Sequence, residues 1–147
     1  MLTSYTFREA QQTDIPQMKF IRDNVTENTL VTIQINAPEY EKAMFEDGKA
    51  WVCLNDTAVI GFSCGRLKQE DVWALFIDQR YEGQGIGHEL MQLLENWMFA
   101  NGCREISLTT SPGTRAEHLY RRRGWQDMGS LPSKERKFRL RSKPMNP

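Results

Sequence analysis

Apolar positions along this chain change period several times, and each change marks an element. Ile15, Met18, Ile21 and Val25 recur at three- and four-residue steps. That spacing predicts an amphipathic helix from a cap at Thr13-Asp14 to about Asn24, with Pro16 tolerated in its first turn. Ahead of it, Ser4–Gln11 alternates as a first strand does. Thr26–Ile35 is less regular. A second helix start follows at Asn36-Ala37-Pro38-Glu39, with Asn as cap and Glu at the capping-box position. Tyr40, Ala43 and Met44 form its core face, and Asp47-Gly48 ends it. Ala50–Leu54 and Ala58–Arg66 read as an antiparallel hairpin around Asn55-Asp56.

The middle of the chain carries the strongest pattern. Val72–Ile77 is a continuous apolar run between Asp71 and Asp78, which predicts a strand buried on both faces. In the helix predicted over about Ile86–Asn101, Ile86, Leu90, Leu93, Leu94, Trp97 and Met98 form one apolar stripe. Glu89, Gln92, Glu95 and Asn96 take the polar face. Arg104–Thr109 is a β-rich run, and the strand–helix–strand order sets it parallel to Val72–Ile77. A loop (Thr110–Thr114), a short helix (Arg115–Arg123, closed by Gly124), a strand starting at Trp125–Met128 and a loop (Gly129–Ser133) follow. In the last strand, Arg136–Arg141, Phe138 and Leu140 oppose Lys137, Arg139 and Arg141, and its edge could pair in a homodimer. A disordered tail is expected at Lys143–Pro147. The sum is α/β: one domain over residues 1–147, a mixed sheet with helices on both faces.

Between the central strand and helix lies Glu82-Gly83-Gln84-Gly85-Ile86-Gly87. Three glycines at alternate positions are costly in backbone entropy and make sense where the backbone approaches something closely. The turn opens a helix, so its free N–H groups and the helix dipole favour a phosphate. It is not a Walker loop, because Gly87-His88-Glu89 stands where Gly-Lys-Ser/Thr is needed. Nor is it a dinucleotide fingerprint, because the spacing is G-x-G-x-G and the strand Ile106–Ser111 ends in hydroxyls. A tight turn without a ligand is the remaining plain reading.

Composition narrows the partners. Nineteen basic and nineteen acidic residues give no net charge, so nothing global favours nucleic acid or an anionic membrane, although Lys134–Lys143 is locally basic. No run approaches transmembrane length, and Met1-Leu2-Thr3-Ser4-Tyr5 does not read as a signal peptide. The three cysteines, Cys53, Cys64 and Cys103, are scattered and form no metal-ligand spacing with the two histidines. A cytoplasmic, metal-free protein with reduced thiols is expected.

Two segments together carry a resemblance. Phe76-Ile77-Asp78-Gln79-Arg80-Tyr81-Glu82-Gly83-Gln84-Gly85-Ile86-Gly87 resembles the acetyl-CoA-binding motif of the GNAT N-acetyltransferase superfamily. Ala116-Glu117-His118-Leu119-Tyr120-Arg121-Arg122-Arg123-Gly124-Trp125 resembles that family's Ala-x-x-x-Tyr-x-x-x-Gly-Phe segment. The resemblance implies the GNAT fold and transfer of an acetyl group from acetyl-CoA to a primary amine of a small molecule or protein, directly in a ternary complex. It places the pantetheine arm along Phe76, Ile77 and Asp78, and the pyrophosphate on backbone N–H groups of Gly83, Gln84, Gly85, Ile86, Gly87 and His88. It makes Tyr120 the acid that protonates the departing thiolate; the plain alternative is a core tyrosine. A main-chain N–H at Phe76 or Ile77 would meet the developing oxyanion.

The chain also departs from the family. Glu82 stands where Arg or Gln is usual; it is expected to turn outward, with Arg80 offsetting it. Gly113 replaces a usual Asn, and Ser111 is the candidate substitute contact to pantetheine. The central strand has no Glu, so Glu27 is the candidate general base, a solvated carboxylate being the alternative. Arg121-Arg122-Arg123 is either a solvated helix end or a contact for the 3′-phosphate. The acceptor pocket is expected from Asn24–Tyr40 and the last loops, where Glu27, Glu39 and Glu41 hint at a cationic amine. Two further functions stay open: a non-catalytic acyl-CoA-binding module, and an acetyltransferase directed at nucleic acid, which the neutral charge disfavours.

Overall fold

The alternation of β2 (Gly48–Asn55) decides how the layers stack. Trp51 and Cys53 point into one core, while Ala50, Val52 and Leu54 point into another on the opposite face. A computed structural model describes residues 4–25 and 35–143 of the chain. Its seven strands form one sheet in the order β1-β2-β3-β4-β5-β7-β6. These are β1 (Thr6–Glu9), β2, β3 (Ala58–Arg66), β4 (Asp71–Ile77), β5 (Glu105–Thr110), β6 (Gln126–Ser130) and β7 (Arg136–Arg141). β4 and β5 are parallel; the other neighbouring pairs are antiparallel.

Helices α1 (Ile15–Asp23) and α2 (Ala37–Glu41) cover one face through Ile15, Met18, Ile21 and Tyr40. α1 is entered through a 3-10 turn whose buried Asp14 accepts from the N–H of Gln11 and takes both Nη atoms of Arg8, at 2.7 and 2.9 Å. α2 starts as expected, with the Glu39 carboxylate accepting from the Asn36 N–H. It then widens into a π-helical segment, Lys42–Asp47. Its last residue is a buried carboxylate that accepts from Lys42 and Gln69.

The other face carries α3 (Ile86–Ala100) and α4 (Arg115–Arg122). α3 buries Ile86, Leu90, Met91, Leu94 and Met98 almost completely. Each such side chain is worth about 1.5–3 kcal/mol relative to exposure, so this packing dominates the docking of the helix. The approach is close because β3 offers Gly65, where an added Cβ would lie 2.7 Å from Met98 Sδ.

Three expectations change. β4 is not buried on both faces: only Ala74 is fully buried, and its neighbours are half-buried because β5 leaves its side. Glu95 is not on a solvated face. It is buried, accepting from Arg123 at 2.7 and 2.9 Å and from Trp125 Nε1 at 3.0 Å. The last strand is not an edge, because β6 folds back antiparallel outside it; the free edges belong to β1 and β6. The arginines of the basic run are paired, Arg136 with Asp127 and Arg139 and Arg141 with Glu105. Residues 26–34, including Glu27, and the tail residues 144–147 lie outside the described residues.

Candidate active site

A cleft opens where two parallel strands part. β4 and β5 share a single register pair, Asp71 with Ser107, fixed by the Ser107 N–H donating to the Glu70 carbonyl at 3.0 Å. The cleft beyond it encloses about 530 Å³, with Val72–Ile77 on one wall and Leu108, Thr109, Thr110 and Ser111 on the other. Ile86, Gly87 and His88 line it from α3, and Arg115, Leu119, Tyr120 and Arg122 from α4; the glycine turn, Val25 and Glu135 also border it.

The strand backbone is oriented by its other neighbour. Asp78 donates its N–H to the Ile60 carbonyl at 2.8 Å, and the register pairs Phe76 with Phe62. Backbone groups alternate in direction along an antiparallel ladder. Phe76 therefore bonds towards β3, while the N–H groups of Leu75 and Ile77 point to the side that β5 has left.

At the end of β4, Asp78 caps a 3-10 turn (Gln79–Tyr81) by accepting from the Arg80 N–H. Gly83 and Gly85 follow at φ +78° and +84°. Two left-handed positions are why glycine stands there. A Cβ on Gly83 would meet nothing within 4 Å. Gly87 answers a different need: its Cβ would come within 3.0 Å of Leu119 Cδ2, so it lets α4 pack close. The helix ladder begins with the Glu89 N–H donating to the Gly85 carbonyl at 3.2 Å. The amides of Ile86, Gly87 and His88 precede that first bond and have no acceptor inside the helix. The turn thus provides left-handed glycines, open space and helix-end donors on one side, which suits a pyrophosphate.

Side chains fix the turn from behind. Gln84 Oε1 accepts from Tyr5 at 2.6 Å, and Tyr81 Oη accepts from Asn55 Nδ2 at 3.2 Å. Asp78 and Gln84 are engaged away from the cleft, whereas Phe76, Ile77, Gly83, Gly85, Ile86, Gly87, His88, Ser111 and Tyr120 line it. The Arg80 guanidinium beside Asp78 holds that carboxyl below its ordinary range, against burial. Arg80 is thus committed to Asp78 and does not offset Glu82. Glu82 does not turn outward either: it lines the cleft and takes Arg115 Nε at 2.7 Å.

The three arginines after Tyr120 divide. Arg121 pairs with Asp127 at 2.8 Å. Arg122 is exposed and lines the cleft. The Arg123 side chain is buried, not solvated: besides Glu95 it donates to the His88 carbonyl at 3.2 Å and approaches His88 Nδ1 at 2.7 Å. Tyr120 is buried with its ring 5.8 Å from Trp125 and 6.2 Å from Phe138, and burial pushes its phenol up. Ser111 is buried, and its carbonyl accepts from Thr114 Oγ1 at 3.0 Å. Sequence reading passed over Arg115 and Glu135. Glu135 follows from the register, because Arg136 pairs with Thr110 and sets its neighbour beside Ser111; no local pattern announces that.

Among the described residues no group of His, Cys, Asp and Glu could hold a metal ion, and no helix is long and apolar enough to cross a membrane.

The site thus consists of a mixed sheet opened between two parallel strands, with a glycine turn beneath the opening. A family model described as "Acetyltransferase (GNAT) family" matches residues 18–125, and the chain belongs to that family of N-acetyltransferases. A search of the curated proteins found no match. Among solved structures, Ard1 from Thermoplasma volcanium aligns with TM-score 0.80 and 17% identity, over 97% of this chain and 100% of that one. The PaiA N-acetyltransferase of Thermoplasma acidophilum, solved in complex with coenzyme A, gives 0.79 and 14%, over 95% and 100%. The ribosomal-protein-S18-alanine N-acetyltransferase from Escherichia coli gives 0.77 and 14%, over 97% and 96%. At such identities these likenesses establish the fold.

Proposed function

We propose that the protein transfers an acetyl group from acetyl-CoA directly to a primary amine of a small molecule or protein held in the same cleft. One observation carries this reading: the parting of β4 and β5 leaves outward backbone donors on β4 that lead to the glycine turn. An amide-bearing arm ending in a pyrophosphate matches that sequence of groups. The coenzyme complex of the Thermoplasma acidophilum protein supports the same choice.

When bound, the coenzyme supplies an acetyl thioester. The amides of Gly83, Gly85, Ile86, Gly87 and His88 hold phosphate oxygens, with Gln84 bracing the turn and Arg122 adding charge. Phe76, Ile77 and Ser111 line the arm, and Asp78 fixes the strand end. Of the two candidate oxyanion donors, the direction of the ladder favours the N–H of Ile77 over that of Phe76. Tyr120 keeps its proton at neutral pH, as a donor to the departing sulfur must. Cleft carboxylates favour a cationic acceptor. Glu82 is already paired with Arg115, while Glu135 has no ion-pair partner among the described residues. Glu135 orients the ammonium, and Glu27 remains the proposed base. Direct transfer is supported by the cysteines: all three are buried, and burial pushes Cys53 to about 11 and Cys64 to about 12.

The test is calorimetric titration with acetyl-CoA, followed by coenzyme A release over an amine panel. Wild type binds, and Gly85→Asp does not while keeping its circular dichroism. Absence of wild-type binding at millimolar coenzyme would sink the proposal. Binding without turnover on any amine would favour a non-catalytic acyl-CoA module, a reading kept open by the lack of a carboxylate on Trp73-Ala74-Leu75-Phe76.

A further inference from the structure

The charge pattern at the mouth of the cleft is inverted. The turn carries a carboxylate, Glu82, where phosphate chemistry calls for a cation. The cation in contact with it, Arg115, comes from the first residue of α4. The two residues are far apart in sequence and meet at 2.7 Å, and both line the cleft. Their exposures differ: the Arg115 side chain is 66% exposed and that of Glu82 22%. An ion pair this open to solvent contributes little to stability, so exchanging one of its partners costs little. A guanidinium also offers several planar donors that match phosphate as well as carboxylate.

We propose that Arg115 is the phosphate-binding cation of this cleft and that Glu82 holds it in place until coenzyme arrives. This rests on the acetyl-CoA reading above. In the free protein the pair ties the glycine turn to α4 across the mouth. A pyrophosphate entering the turn presents more negative charge than the carboxylate, takes over the guanidinium, and leaves Glu82 to move towards solvent. Glu82 is then a placeholder for phosphate: it competes with the pyrophosphate for the guanidinium and has no bearing on donors that lack phosphate. Arg80, the cation within the turn, is bound to Asp78 at 2.8 Å.

The experiment measures Kd by calorimetry for acetyl-CoA and for S-acetylpantetheine, which lacks phosphates, with wild type, Arg115→Ala, Arg115→Lys, Glu82→Gln and the double variant. Arg115→Ala is expected to weaken acetyl-CoA binding about tenfold or more and to leave S-acetylpantetheine unchanged, with Arg115→Lys in between. Glu82→Gln is expected to tighten acetyl-CoA binding and to bring the two donors' affinities further apart. Equal losses for both donors in Arg115→Ala would reduce Arg115 to a fold contact and overturn the proposal, as would a Glu82→Gln effect of the opposite sign. Wild type that binds acetyl-CoA while Arg115→Ala matches it refutes this proposal alone. Wild type that fails to bind acetyl-CoA refutes the acetyltransferase reading beneath it. Unchanged circular dichroism of Arg115→Lys keeps the comparison valid if the alanine variant misfolds.

Discussion

Tyr120 is enclosed by aromatic rings on α4's inner side and still lines the cleft, a placement that keeps its phenol protonated; in the proposed mechanism it donates to the departing sulfur. Replacing it by Phe removes one oxygen and no packing volume. Tyr120→Phe is expected to lower kcat about a hundredfold, within the range for a general acid, while acetyl-CoA binding stays within about twofold of wild type. Steady-state kinetics and calorimetry on one preparation check both halves. Single residues were legible in the sequence where local backbone geometry demanded them. Gly83 and Gly85 are such positions, since L side chains rarely adopt their φ. Residues whose meaning lies in a distant partner were not legible. Glu95 looked like a solvated helix position, yet it holds Arg123 from 28 residues away; period gives a face but not what covers it. The same holds for Glu82, whose counter-ion is Arg115 and not the neighbouring Arg80.

Among elements, α3 is the one most completely specified by its pattern, and its fit depends on the strand beneath. Gly65 leaves room for Leu94 and Met98, whose atoms would stand 3.1 and 2.7 Å from a Cβ there. Gly65→Ala is expected to overpack this contact and cost about 1–3 kcal/mol, read from the midpoint of urea unfolding at constant slope. Strand limits set by clean alternation were readable; Arg136–Arg141 is found as expected. Two features were not. The π-helical turn at Lys42–Asp47 ends on a buried Asp47 that accepts from Lys42 and Gln69, and the apolar period of Tyr40, Ala43 and Met44 does not separate it from an α-helix. The placement of β6 outside β7 depends on pairing that a single strand's pattern does not encode.

For the whole molecule, acid sensitivity follows from carboxylates fixed between elements. Asp127 joins α4, β6 and β7. The Gly129 N–H, then Arg121 and Arg136, hold its carboxyl down from 3.8 to about 2. A group whose folded value is depressed stabilises the fold above its ordinary value and loses that contribution as pH falls through the folded one. Thermal unfolding should therefore show wild type losing stability between about pH 4 and pH 2, and Asp127→Asn losing less over that window. The parting of β4 from β5 has a consequence of another kind. Exposed strand edges invite pairing with strands of other chains, a route to aggregation. Here the two raw edges face each other inside the molecule, joined at one rung. A folded partner's strand, with its own sheet attached, cannot be threaded between them; a thin, flexible chain with amides of its own can. The gap in the sheet thus keeps its hydrogen-bonding capacity sticky for a narrow guest and out of reach of the crowd.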